Sequence, residues 1–200
     1  MSTVDNFNKQ LRINAVIRGV ILGAILLTLN IFSFYFITKI VQHGNLVVAG
    51  PFFFDSIFPL IIAILFCWDM RRRIGGYWDF KQAVTGAFIM FLVSYAILAI
   101  GRDVVFTRVV EPDMVSKTEA VMLNARSESL KAQGASQKEI SSQMTELKKE
   151  LELQKDQGFF NIVYGYLANV ILLFVLALVV GSILKKPAPY TLQVNKDIAE

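Results

Sequence analysis

Three arginines in a row, Arg71, Arg72 and Arg73, precede Gly75 and Gly76, and Tyr77, Trp78 and Asp79 follow. Guanidinium groups beside a helix start can hold an anion. The first backbone N–H groups of a helix are unpaired, and its dipole favours negative charge there. The spacing is not that of a nucleotide-binding loop, G-x-x-x-x-G-K-[ST]. A plainer chemistry also fits. Basic residues at the end of a membrane span attract anionic headgroups, with about 1 kcal/mol each. Gly75 and Gly76 suit a tight reversal, because glycine accepts positive φ. Asp79 and Gln82 have capping-box spacing. Tyr77 and Trp78 fit the headgroup level of a bilayer.

Four more polar residues fall inside or near apolar runs: Arg18, Asn30, Asp55 and Asn169. A charge at the centre of a span costs roughly 2.5–3.5 kcal/mol. Near a span end, Arg18 can snorkel to the headgroups or pair with Asp69 or Asp79. Membrane asparagines bond across helices, at about 0.6–2 kcal/mol each. These side chains are candidates for an intramembrane polar site of a transporter. Asp55 also shares its level with Arg102, Asp103, Arg108 and Glu111. A catalytic centre there requires Asp55, Arg102 and Glu111 to converge on one pocket.

The chain has one cysteine, Cys67, and one histidine, His43. An intrachain disulfide is excluded, and so is a zinc site of the usual Cys and His ligands. Cys67 is expected to act as a small hydrophobe, and His43 to sit in a solvated loop. There is no G-x-S-x-G, H-E-x-x-H, C-x-x-C or dinucleotide fingerprint. No catalytic residue, metal or cofactor is assigned.

The elements that position these residues follow from composition. The chain has 200 residues, 54% hydrophobic and only 18% charged, with a mean hydropathy of +0.52. Soluble domains carry roughly 25% charge, and spans need about 18 or more apolar residues. Four runs reach that length: about 13–38, 47–68, 80–100 with an extension to 110, and 159–184. The first is too long for the roughly 7–15-residue core of a signal peptide, so it reads as an uncleaved anchor. Pro51 suits a helix start, and Pro59 predicts a mild kink. Glu111-Pro112 ends the third span, because proline disfavours helix in the residue before it. Gly19 and Gly23 form a GxxxG pair that favours close helix packing, within the bundle or between copies.

Between the third and fourth spans, Met114–Gln133 reads as a helix closed by Gly134. Ser136 and Glu139 form a capping box that opens a second helix. On it, Ile140, Met144, Leu147 and Leu151 make a narrow coiled-coil-type stripe. The fold class is therefore an all-α membrane protein: four transmembrane helices and an extramembrane antiparallel helical hairpin between helices three and four. Its divisions are a cytoplasmic N-terminus (1–12), spans one to three (13–110), a periplasmic hairpin (111–158), span four (159–186) and a cytoplasmic tail (187–200).

The net charge of +4 does not imply nucleic acid. The basic residues cluster at span ends, and that bias sets orientation. Lys9, Arg12, Arg71, Arg72, Arg73, Lys81, Lys185 and Lys186 place both termini and the arginine stretch in the cytoplasm. The expected partners are a bilayer with anionic headgroups and, through the hairpin stripe, a membrane or periplasmic protein or a second copy.

The stretches "NAVIRGVILGAILL", "DFKQAVTGAF", "VEPDM" and "SILKKP" together resemble domain-of-unknown-function family 4199, small four-span proteins mainly of Bacteroidota. The likeness runs from about residue 11 to 187. It implies an inner-membrane location and brings no activity or catalytic residue with it. The expectation is a non-enzymatic structural, docking or accessory subunit that uses its hairpin. The alternative is a small transporter or an accessory protein for lipid-linked sugar or envelope precursors.

Overall fold

No glycine or proline interrupts residues 1–18, and helix α1 runs through the polar start as well as the span, Thr3–Tyr35. The computed structural model describes residues 3–41, 46–155 and 159–187. Helix thus begins ten residues before the apolar run expected at Ile13. The early turns are packed: Leu11 is buried and sits where a side chain on Gly86 would go.

The second span combines α2 (Leu46–Phe52), a π-helical turn (Phe53–Ile57) and α3 (Phe58–Arg73). It extends past Trp68, so the three arginines ride the last turn of α3 rather than a loop. Cations are favoured there by the negative end of the helix dipole. Pro51 stands inside α2 rather than at its start. The third span is α4 (Phe80–Ala99), continued by a π-helical stretch, Ile100–Val110. Helices α5 (Met114–Ala132) and α6 (Gln137–Lys155) form the hairpin, and α7 (Phe159–Leu184) is the fourth span. The expected tail beyond residue 187 and His43 lie outside the described residues.

Among the described residues, four helical segments, Phe7–Ile40, Ala49–Arg73, Phe80–Val110 and Val163–Leu184, are long and apolar enough to cross a bilayer. Their burial suits lipid. Large apolar side chains point outward, such as Ile17, Ile61, Ile171 and Leu172, while Ala15, Ala83, Ala87 and Ala177 are buried. Helices in lipid gain little from hiding leucine, so small residues that allow close approach occupy the interfaces. The chain is an all-α, multi-pass membrane protein with a helical hairpin between spans three and four.

Two units divide it. One gathers the chain up to Ala24, Leu60–Ile97 and the chain from Ala168 onward. Here Gly19 and Gly23 lie against α4: a Cβ on Gly19 would come within 2.7 Å of Val93 Cβ, and one on Gly23 within 2.9 Å of Ile97 Cβ. The GxxxG pair is used inside the bundle. Gly181 on α7 meets Val84 on α4 in the same way.

The other unit gathers Ile25–Pro59 and Leu98–Leu167. Its small core joins Ile37, Val47 and Ala125, with Phe36, Val41 and Val121 packed around them. Ala125 is more than halfway along α5. Helix α5 therefore lies across the end of the first span and α2 instead of standing on one tip.

Candidate functional site

The polar residues of the second unit gather where three spans leave regular α geometry. Pro59 has no N–H, so the Asp55 carbonyl loses its usual donor four residues on. Just before it, the Phe58 N–H reaches back five residues to the Phe53 carbonyl, which closes the π turn around Asp55. The first span ends likewise, with Val41 N–H on the Phe36 carbonyl at 2.8 Å. In the third span, Glu111 N–H bonds the Phe106 carbonyl at 2.8 Å, and Thr107 Oγ donates to the Arg102 carbonyl at 2.9 Å. Such π turns frequently mark functional positions, because they re-aim side chains within a continuous helix.

Asp55 is the centre of the cluster. Asn30 Nδ2 donates to its Oδ1 at 3.0 Å, and Ser33 Oγ donates to its Oδ2 at 2.8 Å. Asn30 and Ser33 are three residues apart on α1, hence on one face. The next residues of that face, Phe34 and Ile37, join Asn30, Ser33 and Asp55 in lining a cavity of about 210 Å³. Pro51 and Arg102 line it as well, and α5 contributes Met114, Thr118 and Met122 to its wall. Those last three recur every fourth residue, the spacing of one helix face. Ser33 is buried although polar, and the Asp55 carboxylate accepts its hydrogen bond. Two acceptors remain unused: Asn30 Oδ1 and Thr118 Oγ are buried and meet no hydrogen-bond partner among the described residues.

Arg102 and Asp55 thus share a pocket, as the catalytic alternative required, but Glu111 does not line it. Glu111 pairs with Lys117 and accepts from Tyr35 Oη at 3.4 Å. The Lys117 hydrogen bond, aided by Tyr35, holds its carboxyl below the usual range, and Lys117 is raised by the same contact. Asp103 accepts from Tyr166 Oη at 2.8 Å. Of the charges expected at this level, Arg102 meets Asp103 at 3.7 Å, while Asp55 and Glu111 have separate partners.

The other candidates sit elsewhere. Arg18 pairs with Asp69, not Asp79, and Arg73 Nε reaches the same Asp69 oxygen at 3.4 Å. Asn169 Nδ2 donates to Tyr95 Oη at 3.1 Å. Gly75 and Gly76 have φ of 108° and 82°. Asp79 and Gln82 close their capping box with bonds of 2.8 and 3.0 Å.

The three arginines do not converge. Arg71 Nη1 donates to the Leu184 carbonyl at 3.0 Å, joined there by Trp78 Nε1 at 2.8 Å. Arg72 stacks on Trp68, 3.6 Å from the ring centre, and Arg73 leans on Asp69. Sequence reasoning missed that Arg71 and Trp78 cap the last turn of α7. A basic residue near an unpaired helix C-terminus was the available signal, but nothing in the sequence says which helix end it meets.

On α6, the stripe positions are the covered ones. Ile140 is buried, and Met144 and Leu147 are half-buried among exposed neighbours. Helix α6 packs against α5. The side chain of Leu151 lies outside what the structure describes. No group of three or more His, Cys, Asp or Glu that could hold a metal occurs among the described residues.

A family profile described as "Protein of unknown function (DUF4199)" matches residues 18–186. No curated protein and no solved structure matches the chain.

Proposed function

The chain belongs to the DUF4199 family of proteins of unknown function, and from that footing we propose that it is a non-enzymatic, multi-pass protein of the bacterial inner membrane whose hairpin closes over a binding site for a small polar ligand. One observation carries the reading. A carboxylate in a membrane span, the exposed Asp55, is oriented by Asn30 and Ser33 at a half-open pocket to which α5 contributes three side chains. Ionisable groups within spans are costly and mark substrate or ion sites. The cavity, about 210 Å³, is smaller than the roughly 300–1,000 Å³ of drug-sized sites. It suits a headgroup or a small solute. This supports a transport or accessory role in handling envelope precursors or lipid-linked sugars.

The basic residues at the ends of α3 and α7 and at the start of α1 support cytoplasmic termini. The hairpin then stands in the periplasm, and the arginine stretch contacts anionic headgroups. Docking of a partner or a second copy through Ile140, Met144, Leu147 and Leu151 is the second reading. Met144 and Leu147 keep part of their surface exposed beside α5, which favours it.

Thiol accessibility tests the cavity. Asp55→Cys, at an exposed position lining the cavity, should react with a small, membrane-impermeant methanethiosulfonate added from the hairpin side. Native Cys67, fully buried, is the internal control and should stay unmodified. If Asp55→Cys is as inert as Cys67, no aqueous route reaches the site. The ligand-binding reading then fails, and the docking reading is left standing.

A further inference from the structure

Asp55 and Arg102 line one cavity with opposite charges, yet no ion pair joins them among the described residues. Asp55 is held by Asn30 and Ser33. Arg102 meets its neighbour Asp103 at 3.7 Å. A simple cation in this cavity faces the guanidinium, and a simple anion faces the carboxylate. Each is repelled by one wall. A ligand that carries both charges a few bonds apart satisfies both walls.

Two further atoms select the cationic end. Asn30 Oδ1 and Thr118 Oγ are buried without a partner, on residues that line this cavity. Buried acceptors without donors are rare, and each calls for an explanation. Together with the Asp55 carboxylate they make three acceptors on residues of this cavity, two of them closed to solvent until their side chains turn toward a ligand. A primary ammonium carries three N–H donors, whereas a quaternary ammonium carries none. At the other end, the Arg102 guanidinium matches a phosphate or carboxylate through paired N–H donors. Phe34, Ile37, Met114 and Met122 supply apolar wall for the methylenes between the charges.

We infer that the cavity binds a primary-ammonium zwitterion of phosphoethanolamine type, its ammonium on Asp55, Asn30 and Thr118 and its anionic group toward Arg102. This rests on the cavity reading above and names its ligand class. The chemistry has two sources, a phospholipid headgroup and a free solute.

The test uses the full chain in mild detergent and follows its melting temperature. Four probes are titrated: phosphatidylethanolamine, phosphatidylcholine, phosphatidylglycerol and soluble phosphoethanolamine. Phosphatidylethanolamine should stabilise the protein at concentrations about tenfold lower than phosphatidylcholine or phosphatidylglycerol, a difference of about 1.4 kcal/mol. Asp55→Asn and Arg102→Gln should each abolish that preference. Arg102 is half exposed, so its variant remains informative if Asp55→Asn does not fold. Soluble phosphoethanolamine acting as strongly as the lipid assigns the site to a solute. Action by the lipid alone assigns it to a headgroup. Equal response to all three lipids, or no response to any probe, overturns the inference. So does a preference that survives both substitutions. Thr118→Trp, which fills the cavity, separates the two claims. If it abolishes an unselective lipid response, the cavity stands and the zwitterion falls. If every response survives it, both fall.

Discussion

Glu139 accepts from Ser136 twice, from its backbone N–H at 2.8 Å and its hydroxyl at 2.9 Å, while Ser136 Oγ accepts the Glu139 N–H at 3.3 Å. The backbone donor acts first and the hydroxyl second to hold the Glu139 carboxyl below its usual range. The sign follows from linkage. A depressed carboxyl stabilises the folded state above its unfolded value of about 4.3, and that contribution fades as pH falls through the folded value. Glu111 behaves alike beside Lys117. Lys117 is raised, so its contribution holds below its unfolded value and fades as pH rises through the folded one. Hydrogen-exchange protection in the first turn of α6, corrected for intrinsic rates, should fall below about pH 4. Glu139→Gln should flatten that profile, because glutamine keeps the box and does not titrate. Ser136→Ala should cost about 1 kcal/mol at neutral pH. A neutral-pH profile unchanged by Ser136→Ala would show that the box does not hold the helix start. At this scale the box was legible because its two residues are three apart. Asn30 with Asp55, and Asn169 with Tyr95, were not. Each asparagine was visible as a residue in need of a partner, but the choice among many candidates was made by helix rotation.

The helices were legible as runs, less so at their ends. Glycine and proline set several boundaries correctly, as at Gly134, whose φ is 79°. Thr3 and Arg73 exceed the apolar limits because helix propagates through polar residues wherever no breaker stops it. The π turns were invisible. Pro59 announced an irregularity, but a kink and a shift of hydrogen-bond register satisfy the same missing donor. Close approach of α1 to α4 gives the sharpest element-level prediction. Gly19→Ala forces a methyl group against Val93 and the Met90 carbonyl, 2.7 and 2.8 Å away. The cost should be about 1–3 kcal/mol, as for other overpacked sites. Gly165→Ala on α7 meets nothing within 4 Å and should gain about 0.5–1 kcal/mol from helix propensity. Thermal melts in one detergent compare the pair. Equal midpoints would remove the steric account of the α1–α4 contact.

At the scale of the molecule, sidedness is the prediction on which the proposed function depends. With Cys67 replaced by alanine, single cysteines at Arg72 and Thr145 should label from opposite faces of the membrane in intact cells. Both positions are exposed, so labelling from one face would refute the placement of the arginine stretch and the hairpin on opposite sides. Composition and the order of apolar runs were enough for an all-helical protein with four spans and a hairpin. Those signals are local: each span must satisfy its own backbone hydrogen bonds and present apolar side chains over a fixed length. Tertiary structure alone decided that Asp55 meets Asn30 and Ser33, that α5 lines their cavity, and that Arg71 belongs to the end of α7. A pairing of distant residues depends on the rotation and tilt of whole helices, and no spacing within one helix encodes those.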